Sequence, residues 1–184
     1  HLITNIDTGE IALPDLQRPF VWDNGKVRDL FDSLYKGLLI GMLILWKINE
    51  NNNEFKPIGL NKKTTPSKLI IDGQQRLTAL YAVITGSKII DKDYKHKQIK
   101  IAYNPFEEVF EVQNVSIEND PLWISNITDI FKGNLFSFVN GFIDNLKEKR
   151  PDFEFDEGKV QDNISSLKTL ETSYQISAIE LASS

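Results

Sequence analysis

The residues with the clearest chemical potential lie between a predicted strand and a predicted helix. They are Asp72, Gly73, Gln74, Gln75 and Arg76, and we call this segment the 72–76 turn. At a helix start, unpaired backbone N–H groups and the positive end of the helix dipole attract an anion, and a glycine allows close approach. The glutamine amides and the guanidinium add donors that suit a phosphate. The segment therefore predicts a phosphate-binding turn.

The position of Arg76 favours a bound anion, because the helix dipole disfavours a cation in the first turn by about 0.3–1 kcal/mol. A structural interpretation stays open, in which Asp72 caps the helix and Gln75 completes a capping box. Gly73 is then only a turn residue, and no ligand is needed. Neither G-x-x-x-x-G-K-[ST] nor G-x-G-x-x-G occurs in the chain, which excludes P-loop and Rossmann sites.

A second cluster, residues 14–22, places a glutamine, a guanidinium and two aromatic rings in a segment stiffened by prolines. In the functional interpretation, Arg18 is a second phosphate clamp that faces the guanidinium of the first cluster, and Gln17 orients it. In the alternative, Phe20 and Trp22 anchor the core and Arg18 is a surface charge.

The composition excludes several classes of protein. Of 184 residues, 41% are hydrophobic and 26% are charged, which is typical of a soluble globular chain. Cysteine is absent, so disulfide frameworks, thiol nucleophiles and cysteine zinc sites are excluded. His1 and His96 are the only histidines, which argues against a histidine-rich metal site or a Ser-His-Asp triad. No apolar run approaches the roughly 20 residues that span a bilayer, and we expect a cytoplasmic protein.

The net charge of −5 is unevenly distributed. Residues 1–55 carry 5 basic and 8 acidic side chains, residues 56–100 carry 10 and 3, and residues 101–184 carry 6 and 15. The basic middle segment is either a solvated lysine-rich face or an anion-binding face. We interpret Asp91 and Asp93, which lie among its lysines, as part of a charged loop and not as metal ligands.

Apolar periodicity predicts a mixed α/β fold. Predicted strands occupy residues 11–14, 42–48, 68–71, 100–103, 109–112 and 174–179. Predicted helices carry apolar stripes at Val27, Leu30, Phe31 and Leu34 after an Asp23 cap; at Leu77, Leu80, Tyr81 and Ile84; at Leu135, Phe138, Val139, Phe142 and Leu146; and at Val160, Ile164, Leu167 and Leu170. We expect residues 1–115 to form a nucleotide-binding core, and residues 116–184 to form a helical extension that ends in an edge strand.

Two segments, residues 13–22 and 71–80, resemble the two signature motifs of the GmrSD-type N-terminal domain family. The strand over residues 41–46, between them, also matches in type and placement. That family is related to the ParB/sulfiredoxin-like fold, and the 72–76 turn is similar to the G-[ED]-R-R box of ParB. The resemblance implies an α+β fold: a small mixed sheet with flanking helices, followed by a helical C-terminal portion.

The resemblance also implies a function, which is binding and hydrolysis of a nucleoside triphosphate in bacterial proteins that restrict phage or modified DNA. It implies Mg²⁺ bound with the nucleotide, and Asp72 holding the ion or orienting the attacking water. The glutamine and arginine groups then stabilise the transferring phosphoryl group. The implied catalytic residues are Asp72, Gln75 and Arg76, and the implied phosphate-binding residues are Gln17, Arg18, Gly73, Gln74 and Arg76.

In this family a C-terminal HNH-type nuclease domain usually follows, and the chain contains no His-Asn-His set. We therefore expect a chain truncated before that partner domain. Two rival functions stay open. In one, the domain is a non-enzymatic DNA-binding module whose basic residues 56–100 contact backbone phosphates. In the other, it is a scaffold whose acidic C-terminal half docks the missing domain.

Overall fold

The computed structural model describes residues 2–14, 19–48, 55–56, 66–173 and 176–181. Within these ranges the chain contains both helices and short strands, which confirms the predicted α+β class. The helices are α1 (Leu2–Asp7), α2 (Asn24–Tyr35), α3 (Gln74–Thr85), α4 (Val115–Asn119), α5 (Thr128–Lys132), α6 (Leu135–Lys149) and α7 (Glu157–Ser173). The strands are β1 (Ile11–Pro14), β2 (Leu43–Lys47), β3 (Phe55–Lys56), β4 (Lys68–Asp72), β5 (Ile89–Ile90), β6 (His96–Lys97), β7 (Ile101–Asn104), β8 (Val109–Val112) and β9 (Ala178–Leu181).

The main sheet has five strands in the order β3-β1-β4-β2-β9. Strand β4 lies at its centre, parallel to β1 and antiparallel to β2. This topology brings the end of β1, the end of β4 and the start of β2 to the same end of the sheet. The 72–76 turn therefore follows the central strand at that end, directly beside the segment that leads into β2.

Helix α3 contributes to both hydrophobic clusters of the described residues. Leu77 and Tyr81 pack with β1, β2 and β4, whereas Leu80, Val83 and Ile84 pack with α2, the β7–β8 hairpin and the later helices. Because both faces of α3 are covered, its first turn is held firmly relative to the sheet and to α2.

The second helix forms as predicted. Its N-cap is Asp23, whose carboxylate accepts a hydrogen bond of 2.8 Å from the backbone N–H of Lys26. Its predicted apolar stripe is buried. A cap followed by a regular stripe is a local signal that needs little tertiary support. The predicted hairpin is present as β7–β8. The predicted apolar stripes of α6 and α7 also face the core.

The predicted last strand is present as β9, at the edge of the main sheet and parallel to β2. It begins later than the sequence indicates, and residues 174 and 175 lie outside the described ranges. Strand β9 thus joins the C-terminal part of the chain to the sheet of the N-terminal part. The proposed division at residue 115 stays a prediction. Across the described part of the chain, no helix has the length and apolar character needed to cross a membrane.

Candidate functional site

The start of α3 is built differently from the predicted capping box, and that prediction is wrong. Asp72 is the last residue of β4, paired with Ile44 of β2, so it is held in the strand and does not cap the helix. The N-cap is Gly73, with a left-handed backbone (φ +89°) and no side-chain hydrogen bond to the first turn. The left-handed glycine turns the chain directly from strand to helix. The N-cap residue itself therefore provides no capping side chain to the first turn of α3.

The guanidinium of Arg76 is bound by backbone carbonyl groups. Its Nη1 donates to the oxygen of Ile40, and its Nη2 donates to the oxygen of Met42 at 2.9 Å. The Asp72 carboxylate lies 3.5 Å from Nη2. These oxygens compensate the cation at the helix start without any ligand. The unfavourable interaction of Arg76 with the helix dipole therefore no longer indicates a bound anion. The phosphate-binding and catalytic roles of Arg76 stay predictions.

Residues 38–42, which we call the strap, pass close over this guanidinium. Gly41 has φ +87°, and a Cβ built on it would lie 2.3 Å from Nη1 of Arg76. A side chain at this position would displace the arginine, so the close approach requires glycine. Arg76 thereby holds the strap against the start of α3.

Gln75 holds a second segment on the other side of the turn. Its Oε1 accepts a hydrogen bond from the N–H of Val21 at 2.9 Å, and its Nε2 donates to the oxygen of Pro19 at 3.2 Å. Within that segment Phe20 is buried in the core, as the structural alternative predicted, and Trp22 is half-buried. The Gln75 side chain is therefore hydrogen-bonded to the chain on both sides of Phe20, and not to the first turn of its own helix.

An open cleft of about 370 Å³ lies between α2 and the strap. Four residues on one face of α2 form one wall of the cleft. The strap, Trp22 and Arg76 form the rest of its lining. The lining residues are Trp22, Lys26, Asp29, Leu30, Ser33, Leu39, Ile40 and Arg76. Gln75 and Arg76, adjacent in sequence, therefore each hold a segment at this cleft: Arg76 holds the strap, and Gln75 holds the residues that precede Trp22.

Sequence reasoning missed Lys26, Asp29 and Ser33, because only the apolar stripe of α2 was analysed. Their spacing, with Leu30, is that of a single helical face, so the signal was present. Nothing local indicates that the strap lies opposite that face. Of the predicted site residues, Asp72 to Arg76 lie together. Gln17 and Arg18 lie outside the described residues, so the facing of Arg18 and Arg76 stays a prediction.

Among the described residues, the turn offers a metal ion a single carboxylate, that of Asp72, whose side chain is 67% exposed. No group of three potential metal-ligating side chains occurs in those residues. Mg²⁺ is commonly bound by one or two carboxylates together with substrate phosphates and water. A single carboxylate therefore fits Mg²⁺ only together with groups that a ligand and water supply.

The lysine-rich link forms a short hairpin, β5–β6, that the sequence did not predict. The Asp91 carboxylate accepts hydrogen bonds from the N–H groups of Asp93 and Lys95, and the bond from Lys95 is the main cause that lowers the pKa of Asp91. Asp91 thus closes the turn, in agreement with a charged loop. Tyr94 is 81% exposed at its tip.

Comparison with known proteins identifies the family. The N-terminal domain of the GmrSD restriction endonuclease matches residues 1–184, the whole chain. A relative from Methanocaldococcus jannaschii, named "Uncharacterized protein MJ0686", is 33% identical over 159 residues, which is 81% of this chain and 26% of that protein. The chain thus spans about a quarter of that relative's length. Because the match covers the whole chain, the chain belongs to the GmrSD restriction endonuclease N-terminal domain family.

Proposed function

We propose that this chain is the nucleotide-binding module of a restriction-type protein and that it hydrolyses a nucleoside triphosphate. The observation that carries the proposal is the start of α3, where the N-cap is a glycine without a capping side chain and the cleft beside Arg76 is also lined by the cationic Lys26. The N-terminus of a helix favours an anion, and a nearby cation strengthens that preference.

In this proposal the phosphates lie against the first turn of α3. Gly73 is buried against Leu43 and forms the turn, and Lys26 provides a positive charge from the α2 wall of the cleft. Gln75 and Arg76 act as positioning residues, because their side chains hydrogen-bond to the protein. Mg²⁺, held by Asp72, would neutralise charge on the phosphates. Alternatively, the exposed carboxylate of Asp72 would orient the attacking water.

Binding is tested with ATP, GTP, CTP and UTP, each with and without Mg²⁺, by thermal unfolding and titration calorimetry. A nucleotide at 100 times its Kd should raise Tm by roughly 5–10 °C. Lys26→Gln should weaken binding at least about fivefold. Lys36→Gln is the matched control, because Lys36 follows α2 and pairs with Asp32 away from the cleft. The absence of any nucleotide effect, or equal losses in both variants, would overturn the proposal.

Hydrolysis is tested separately by phosphate release. Asp72→Asn should lower the rate at least about tenfold while nucleotide binding without Mg²⁺ is kept. An unchanged rate in Asp72→Asn would remove Asp72 from the mechanism, and no release from the wild type would restrict the function to binding.

The β5–β6 hairpin supports a second candidate function, contact with DNA. Exposed Lys92 and Lys95 flank Tyr94, and cations around an exposed ring suit a nucleic-acid strand. If this candidate is right, DNA affinity falls steeply with salt, requires no nucleotide, and weakens in Lys92→Gln/Lys95→Gln. If the double variant binds DNA as tightly as the wild type does, the hairpin is not the surface that contacts DNA.

A further inference from the structure

We propose that the cleft between α2 and the strap is a nucleoside pocket, in which the base of a bound nucleotide stacks on Trp22. This inference rests on the proposed function and extends it from the phosphates to the other end of the ligand. It assigns a binding role to Trp22, Leu39 and the polar face of α2.

The apolar parts of the cleft are the first support. Trp22 is half-buried and Leu39 is 93% exposed, and both line the cleft. Val21, next to Trp22 in sequence, and Met42, in the strap, are each 53% exposed. Exposed apolar side chains in a cleft are the kind of surface that a ligand covers. A flat aromatic base can stack on an indole, and such stacking is sequence-tolerant.

The polar residues of the cleft are the second support. Asp29 and Ser33 lie on the same face of α2 as Lys26. A carboxylate and a hydroxyl recognise ribose hydroxyls or the N–H groups of a base, whereas a carboxylate would repel a bare phosphate. The lining of the cleft therefore combines cationic side chains that suit phosphates with apolar and acceptor groups that suit a nucleoside.

Size gives the third support. About 370 Å³ lies in the range of roughly 300–1,000 Å³ for small-molecule sites, and it exceeds what an isolated phosphate needs. The hydrogen bonds of the 72–76 turn fit this assignment. Gln75 fixes the segment next to Trp22, and Arg76 fixes the strap next to Leu39.

The test compares nucleoside triphosphates with inorganic tripolyphosphate, which has the phosphates but no nucleoside. Calorimetry on the full chain measures both affinities in the wild type, Trp22→Leu and Leu39→Ser. Trp22→Leu keeps an apolar group against the core, and Leu39→Ser changes a side chain too exposed to affect folding. Trp46→Leu and Leu38→Ser are matched controls, since neither residue lines the cleft.

We expect the best nucleotide to bind about 5- to 100-fold more tightly than tripolyphosphate. Trp22→Leu and Leu39→Ser should each reduce that advantage and leave tripolyphosphate binding unchanged, and the controls should keep it. Equal binding of nucleotide and tripolyphosphate, or an advantage unaltered in Trp22→Leu, would overturn the nucleoside pocket and leave the phosphate site standing. Binding of neither would overturn the proposed function as well.

Discussion

Two glycines and one arginine determine the local geometry of the site. Gly73 and Gly41 both have left-handed backbones and both lie against the Arg76 side chain, with built Cβ atoms 3.3 Å from Nη2 and 2.3 Å from Nη1 respectively. The Gly73 position is also closed by Leu43, whose Cδ2 would lie 2.3 Å from the added atom. Conformation and space thus both require glycine here.

Gly73→Ala should lower the free energy of unfolding by about 1–3 kcal/mol from the left-handed backbone alone, and further because Leu43 must move. Gly141→Ala is the control within the same chain. Gly141 lies inside α6 with open space around its built Cβ, so this change should raise stability by about 0.5–1 kcal/mol. Urea unfolding measures both, and effects of the same sign would contradict this account.

The Gln75 side chain makes the second prediction at this scale. Gln75→Leu leaves the N–H of Val21 and the oxygen of Pro19 without these partners, and should cost about 1–3 kcal/mol. The amide of Val21 should then exchange hydrogen faster. Gln161→Leu, at an exposed position of α7, should change neither. Unaltered exchange at Val21 in Gln75→Leu would show that the segment is held by other contacts.

The identities of the 72–76 residues were visible in the sequence, but their partners were not. Arg76 reaches oxygens 36 and 34 positions earlier in the chain, and Gln75 reaches atoms 54 and 56 positions earlier. Such contacts exist only once the sheet has brought its strands together. Local reasoning therefore offered Gln75 only a nearby capping box or a bound ligand, although distant backbone groups are its partners.

At the scale of elements, the best-predicted helices and strands have regular local patterns. Helix α2 has both a cap and a stripe, and β4 is a compact apolar run that ends at Asp72. Helix α1 and the β5–β6 hairpin were missed. A helix of 6 residues and strands of 2 residues are too short to display a period, and tertiary contacts decide them.

The edge strand β9 makes the prediction at this scale. It pairs in parallel with β2 over Leu43–Trp46, and the N–H of Leu43 donates to the oxygen of Ser177 at 2.9 Å. A chain ending at Ser173 should lose about 2–4 kcal/mol of stability through these bonds and should aggregate through the newly exposed edge of β2.

A chain ending at Leu181 keeps β9 and is the control for that truncation. Urea unfolding gives the stability difference, and hydrogen exchange should accelerate at Leu43–Trp46 in the shorter chain only. Equal stability and equal exchange in the two chains would mean that β9 contributes nothing to the sheet.

At the scale of the whole molecule, a cluster of aromatic rings connects helix α2 to the β7–β8 hairpin. It consists of Tyr35, Tyr103 and Phe110. The Tyr103 hydroxyl donates to that of Tyr35 at 2.8 Å, and the Tyr103 ring lies 4.7 Å from that of Phe110 between centroids. Tyr103 is fully buried. Burial is the main cause that raises the pKa of Tyr103, and it also raises the pKa of Tyr35.

These raised pKa values predict alkaline unfolding. Above about pH 10 the unfolded chain loses its tyrosyl protons, whereas the folded protein keeps that of Tyr103, so stability falls as pH rises, by about 1.4 kcal/mol per pH unit for this one group. Below pH 10 both states are protonated and the contribution is constant.

Tyr103→Phe should therefore cost about 1 kcal/mol at pH 7 and flatten the decline above pH 10. Tyr94→Phe, at the exposed hairpin tip, should leave the slope of the wild type. Urea unfolding between pH 7 and 11 measures this, and parallel slopes in all three proteins would contradict it.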